Sequence, residues 1–129
     1  MKKKNLAIFV VLTVLVLLGL GFLLYPSVAP GPINLGPFAS CLKAKGVTFY
    51  GAFWCPHCQA QKKLFGNAVG LLPYVECSTP DGQSQLQFCT DKGVQSYPTW
   101  VFPDGTRLTG EQALQTLADK SSCTLPNNQ

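Results

Sequence analysis

The sequence predicts an α/β domain carried behind a single N-terminal transmembrane helix. Three observations predict it. Residues Leu6 to Leu24 form an uncharged apolar stretch directly after Lys2, Lys3 and Lys4. Beyond it, short β-branched and aromatic runs alternate with runs of helical period. The last two β-type runs are joined by Pro103-Asp104-Gly105, which turns the chain into a hairpin. The resulting order is α-β-α-β-α-β-β-α. A helix between two strands implies a right-handed parallel crossover, and the hairpin adds an antiparallel strand, so the sheet is mixed.

The N-terminal region, residues 1–25, reads as a cytoplasmic lysine cluster and an anchor. The stretch from Leu6 to Leu24 is nineteen residues long, close to the ~20 needed to cross a bilayer. The lysines before it put the N-terminus in the cytoplasm and the domain outside. A cleaved signal peptide is the alternative, with Ser27-Val28-Ala29 resembling a cleavage signal, but its apolar core is usually shorter. Phe38-Ala39-Ser40-Cys41 faintly resembles a lipoprotein box, far beyond the apolar run. Each version puts the domain where disulfides persist. Residues 26–37 hold four prolines and two glycines and read as a linker. At ~3.1 Å per residue it reaches about 37 Å. Ten Lys and Arg stand against six Asp and Glu, but the excess sits in Lys2–Lys4. From residue 26 the balance is seven to six, which gives no electrostatic case for nucleic acid.

The domain spans residues 38–125, followed by a short tail, 126–129. Phe38 to Lys45 has Phe38, Cys41 and Leu42 at helical spacing, with Gly46 as a stop. Residues 47–53 (Val-Thr-Phe-Tyr-Gly-Ala-Phe) read as a buried strand. Residues 56–69 read as a helix with Cys58, Leu64, Phe65 and Ala68 near one stripe. Residues 73–77 are a second strand and 78–82 a turn cluster. Residues 83–92 read as a helix turning Leu86, Phe88 and Cys89 inward. Residues 99–102 and 106–108 form the hairpin. Thr109-Gly110-Glu111-Gln112 has the form of a capping box, ahead of a last helix with Ala113, Leu114, Leu117 and Ala118 on one face.

The chemistry concentrates in Trp54-Cys55-Pro56-His57-Cys58, where a strand ends and a helix begins. Free backbone N–H groups and the positive end of the helix dipole favour a thiolate at Cys55, and the thiolate is the reactive form. Pro56 suits the first helical turn. His57 adds a proton donor or a positive charge beside the sulfur. A Cys₄ zinc site wants a second close pair. The remaining cysteines, Cys41, Cys77, Cys89 and Cys123, lie no closer than twelve positions apart, and the single histidine argues against a His-based metal site. No metal and no cofactor are expected. Cys41 and Cys123 stand near opposite ends of the domain and are left between a mutual disulfide, a shuttle role and a link to another chain. Glu76, Arg107 and the scattered lysines read as solvated surface, and Trp54 and Trp100 as site rim and core.

This order of elements, with Trp-Cys-x-x-Cys at the first strand-to-helix junction, resembles thioredoxin. Ser96-Tyr97-Pro98-Thr99 lies where that family keeps a cis-proline loop. The resemblance implies a central mixed four-stranded sheet flanked by helices. It also implies that Tyr97, Pro98 and Thr99 offer backbone to a substrate chain. Tyr50 to Cys58, Gln61-Lys62, Leu64-Phe65-Gly66, Tyr74 to Cys77 and Tyr97 to Trp100 resemble the thioredoxin-like domain fused to bacterial homologues of vitamin K epoxide reductase. That likeness implies a second disulfide between Cys77 and Cys89. It further implies oxidation of secreted proteins, with recharging by a membrane-embedded partner that here is a separate protein. The Pro-His dipeptide is shared with periplasmic oxidases of the DsbA type. Thioredoxins keep a buried carboxylate six residues before the first active cysteine, and here that position is Phe49. The expected function is a membrane-anchored thiol–disulfide oxidase working through Cys55 and Cys58. The alternatives are a reductase for cytochrome maturation or disulfide repair, and a tethered peptide-binding module.

Overall fold

The structure is a computed structural model and describes residues 2–24 and 33–126. It divides into two compact units, residues 1–31 and 32–129. The first is the helix α1 (Lys2–Leu24). Among the described residues no helix is long and apolar enough to cross a membrane. The expected anchor includes residues 6, 7, 9 and 22–24, whose side chains lie outside the described set. Of the expected linker, residues 26–32 also lie outside the described residues, as do 127–129 of the tail.

The second unit carries α2 (Gly36–Ala44), β1 (Thr48–Gly51), α3 (Pro56–Lys63), a 3₁₀ segment (Gly66–Leu71), β2 (Tyr74–Glu76), α4 (Gln87–Asp91), β3 (Thr99–Val101), β4 (Arg107–Thr109) and α5 (Leu114–Ser121). The strands form one four-stranded sheet in the order β2-β1-β3-β4. β1 runs parallel to β2 and antiparallel to β3, which pairs antiparallel with β4. This mixed sheet flanked by helices is consistent with a thioredoxin-like fold. β1 is central because Phe49, Tyr50 and Gly51 are all buried, whereas β4 at the edge leaves Arg107 and Thr109 exposed. On one side of the sheet Phe49 stacks on Trp100 with ring centroids 4.5 Å apart, among the buried Phe38, Leu42, Phe65 and Leu117. Each such side chain contributes about 1.5–3 kcal/mol by leaving water. A smaller cluster holds Tyr50, Cys77, Cys89 and Val94.

Several boundaries differ from the sequence reading. α2 starts at Gly36 with Pro37 in its first turn, so the last two linker residues are helical, as a proline at that position allows. The strands are trimmed to Thr48–Gly51, Tyr74–Glu76 and Thr99–Val101, and the last moves to Arg107–Thr109. The expected helix 56–69 stops at Lys63, because Gly66 takes φ +52° and the chain continues as a 3₁₀ turn. Leu64 is consequently exposed, and Gln61 takes the inward position. The expected helix 83–92 shrinks to Gln87–Asp91. Its first backbone groups are used elsewhere: Gln83 N–H donates to Asp81, Ser84 N–H to Thr79 Oγ1, and Leu86 N–H to the Cys77 carbonyl. Short polar side chains of this kind compete with helix. Only Cys89 of that segment faces inward, and Leu86 and Phe88 are exposed. The capping box does not form. Thr109 ends β4, and α5 starts after Ala113 without a side-chain cap. Ala113 is exposed, and α5 buries Leu117, Ala118 and Ser121.

Candidate active site

Cys55 is the N-cap of α3, with extended backbone (φ −74°, ψ 119°). Its sulfur accepts the Cys58 N–H at 3.4 Å, so one otherwise unpaired helix-terminal donor is aimed at it. Pro56 occupies the first helical turn. The Cys55 thiol lies 3.8 Å from the Tyr97 carbonyl. The Tyr97–Pro98 peptide is cis, Pro98 is fully buried, and Thr99 Oγ1 ties back to the Ser96 carbonyl at 2.8 Å. Cys55 and Cys58 are free thiols. Cys55 keeps 5% of its surface and Cys58 none. Burial, above all, pushes the Cys58 thiol up to about 12, against smaller opposing effects from the Ala52 backbone and Lys62. The two sulfurs therefore differ: one just reaching solvent against a helix terminus, one sealed beneath it and held protonated.

Trp54 is half exposed at the rim. Its Nε1–H donates to Ser78 Oγ at 2.8 Å, and its ring meets Tyr97 edge-on at 6.1 Å. His57 is exposed, and its Nδ1 lies 2.6 Å from Glu111 Oε1. Two cysteine pairs lie apart from this dithiol. Cys77 and Cys89 are joined, tying the end of β2 to α4, and Cys41 and Cys123 are joined, tying α2 to the end of α5.

Four residues that shape the site escape the sequence reading. Glu76 is half-buried rather than solvated, because Oε1 accepts the N–H groups of Phe53 (3.2 Å) and Ser78 (2.9 Å) while Oε2 accepts the Tyr74 hydroxyl (2.7 Å). It therefore pins the loop leading to Cys55. Tyr74 lies under Lys62, whose Nζ is 3.3 Å from the ring centroid. Burial first, then the Glu76 bond, hold the Tyr74 phenol above its ordinary range, so it stays protonated. A Cβ on Gly51 would stand 2.8 Å from Tyr74 Cε2 and 2.9 Å from Cys58 Sγ, which makes glycine the residue that fits there. Gln61, fully buried, holds both backbone groups of Gln112. A signal for Gln61 was present: positions 58, 61, 65 and 68 keep helical spacing better than a stripe through Leu64.

Fold and site together define an α/β domain with a dithiol at a helix N-terminus, facing a cis-proline loop. Over 92 residues the chain is 41% identical to the thiol-disulfide oxidoreductase LTO1 of Arabidopsis thaliana, a match covering 67% of this chain and 24% of that protein. The chain thus spans about a quarter of that relative's length. No family model matches the chain.

Proposed function

We propose that this protein is a membrane-anchored, extracytoplasmic thiol–disulfide oxidoreductase. It acts as an oxidase of secreted proteins, and a membrane-embedded homologue of vitamin K epoxide reductase recharges it. The observation that carries the reading is the asymmetry of the pair: Cys55 against the helix terminus and the Tyr97 carbonyl, Cys58 buried with its thiol at about 12.

The reaction starts from the Cys55–Cys58 disulfide. A substrate thiolate attacks Cys55 Sγ, the Cys55–Cys58 bond breaks, and its electron pair goes to Cys58 Sγ, which takes up a proton. Burial keeps that thiol protonated, so Cys58 does not readily reattack. The second substrate thiol loses its proton and attacks the substrate sulfur of the mixed disulfide. Cys55 then leaves as a thiolate on the Cys58 N–H. Two substrate thiols have become a disulfide, and the protein's disulfide has become two thiols. In the reductive direction Cys58 would have to lose its proton. The position where thioredoxins keep a carboxylate is Phe49, buried in the core. This favours the oxidase reading over the reductase.

The similarity to a thiol-disulfide oxidoreductase supports the activity, and the apolar stretch from Leu6 to Leu24 supports the anchor. A tether raises the effective concentration of a partner in the same membrane. Trapping tests this. Cys58→Ala leaves the Cys55 thiolate able to attack a disulfide of another protein with no Cys58 to break the bond that forms, so the membrane oxidase, and secreted proteins attacked at their own disulfides, should accumulate as covalent complexes on non-reducing gels. Absence of every such complex would contradict the proposal, and absence of the membrane partner alone would remove the recharging step.

A further inference from the structure

His57 and Gln61 stand four positions apart on α3 and so share one of its faces. Facing them, from the segment between β4 and α5, are two consecutive residues, Glu111 and Gln112. Gln61 has no exposed surface. Its Oε1 accepts the Gln112 N–H at 2.6 Å, and its Nε2 donates to the Gln112 carbonyl at 3.0 Å. One residue earlier, Glu111 Oε1 meets His57 Nδ1 at 2.6 Å. An exposed pair usually gains little, because two side chains must be ordered to make it. Here the backbone beside one partner is already fixed by a buried amide, and the other partner rides on a helix. The pairing is therefore preorganised.

We propose that Glu111 is a positioning residue for the Cys55–Cys58 chemistry, holding His57 by Nδ1 and so setting the tautomer and orientation of the ring. The proposal rests on the redox reading above. An ionised carboxylate only accepts hydrogen bonds, so Nδ1 carries the proton. In the neutral ring Nε2 is then the acceptor, and no described residue bonds it. Nε2 is the ring atom left open to an incoming thiol. A substrate thiol gives its proton to Nε2 and its sulfur bonds Cys55 Sγ. The Cys55–Cys58 bond breaks with its electron pair on Cys58 Sγ, Cys58 takes up a proton, and the imidazolium returns one to solvent. The substrate sulfur is oxidised and Cys58 is reduced, so the balance closes without a further reactant.

The chain has one histidine, so nitrogen NMR of labelled protein reports this ring alone. The measurement is made at a pH above which the ring-nitrogen shifts no longer change, so that the ring is neutral. Wild type and Glu111→Gln, which keeps an acceptor oxygen, should both hold the proton on Nδ1, and Glu111→Ala should lose that preference. Disulfide transfer from the oxidised protein to a dithiol peptide should slow about two- to fivefold in Glu111→Ala, the range an exposed pair supports. Glu111→Gln should restore it. The same tautomer in Glu111→Ala as in wild type would overturn the proposal, as would a Glu111→Gln variant as slow as Glu111→Ala. If wild type transfers no disulfide, the redox reading fails instead, and the tautomer measurement alone decides the role of Glu111.

Discussion

The burial of Cys58 makes a prediction that pH can test. With its thiol near 12, only about one Cys58 in ten thousand is a thiolate at pH 8, against about a quarter of an ordinary cysteine at ~8.5. That deficit is roughly 2,400-fold. A more basic thiolate is also the better nucleophile, with a Brønsted slope of about 0.4–0.5, which returns a factor of roughly 40 over 3.5 pH units. The net expectation is that Cys58 reacts roughly sixtyfold more slowly than an ordinary thiol, before its lack of exposed surface slows it further. The sign is fixed, because deprotonation limits the rate: labelling should rise tenfold per pH unit from pH 6 upward without levelling before pH 10. The assay treats the reduced domain with limiting iodoacetamide across that range and locates the label by tandem mass spectrometry. Cys55 should carry nearly all of it. A Cys58 rate that levels by pH 9, or labelling of Cys58 ahead of Cys55, would refute the assignment of Cys55 as the reachable sulfur and Cys58 as the sealed one.

Two further predictions concern the frame around the site. Gly51→Ala places a methyl within 2.9 Å of Cys58 Sγ and Tyr74 Cε2. It should lower unfolding stability by about 1–3 kcal/mol and slow disulfide exchange, measured by urea titration and peptide oxidation; a variant indistinguishable from wild type would show that the contact yields freely. The Cys41–Cys123 bond closes 82 residues and Cys77–Cys89 closes 12. Loop closure then assigns them about 4.5 and 2.8 kcal/mol. In variants retaining one or the other, reduction should lower the urea midpoint more where the long loop opens, and the reverse order would contradict the closure account.

The parts legible in the sequence are those written locally. The β-branched and aromatic run before Cys55, the proline after it and the inward spacing of Cys58, Phe65 and Ala68 lie within one stretch, and they form β1, α3 and the 3₁₀ segment after it. The hairpin turn at 103–105 is equally local. What escaped depends on partners distant in sequence. Glu76 reaches Phe53 across 23 positions, Gln61 reaches Gln112 across 51, and His57 reaches Glu111 across 54. A polar side chain with a remote partner carries no periodic signature, so Glu76 read as surface and Glu111 as half of a cap. α4 came out short for a related reason. Of its expected inward residues only Cys89 is buried, and the backbone bonds to Thr79, Asp81 and Cys77 that consume residues 83–86 left no local signature.

The reduction potential of Cys55–Cys58 decides whether this dithiol is an oxidant. Oxidised protein is equilibrated with glutathione buffers of graded ratio, quenched with acid and alkylated, and the oxidised fraction of the Cys55–Cys58 peptide is read by mass spectrometry. One two-electron transition assigned to this pair is expected, with the other two disulfides intact, at a potential toward the oxidising end, about −120 mV. A potential near about −270 mV would reverse the direction of the proposed reaction. No two-electron transition at this pair would contradict the account itself.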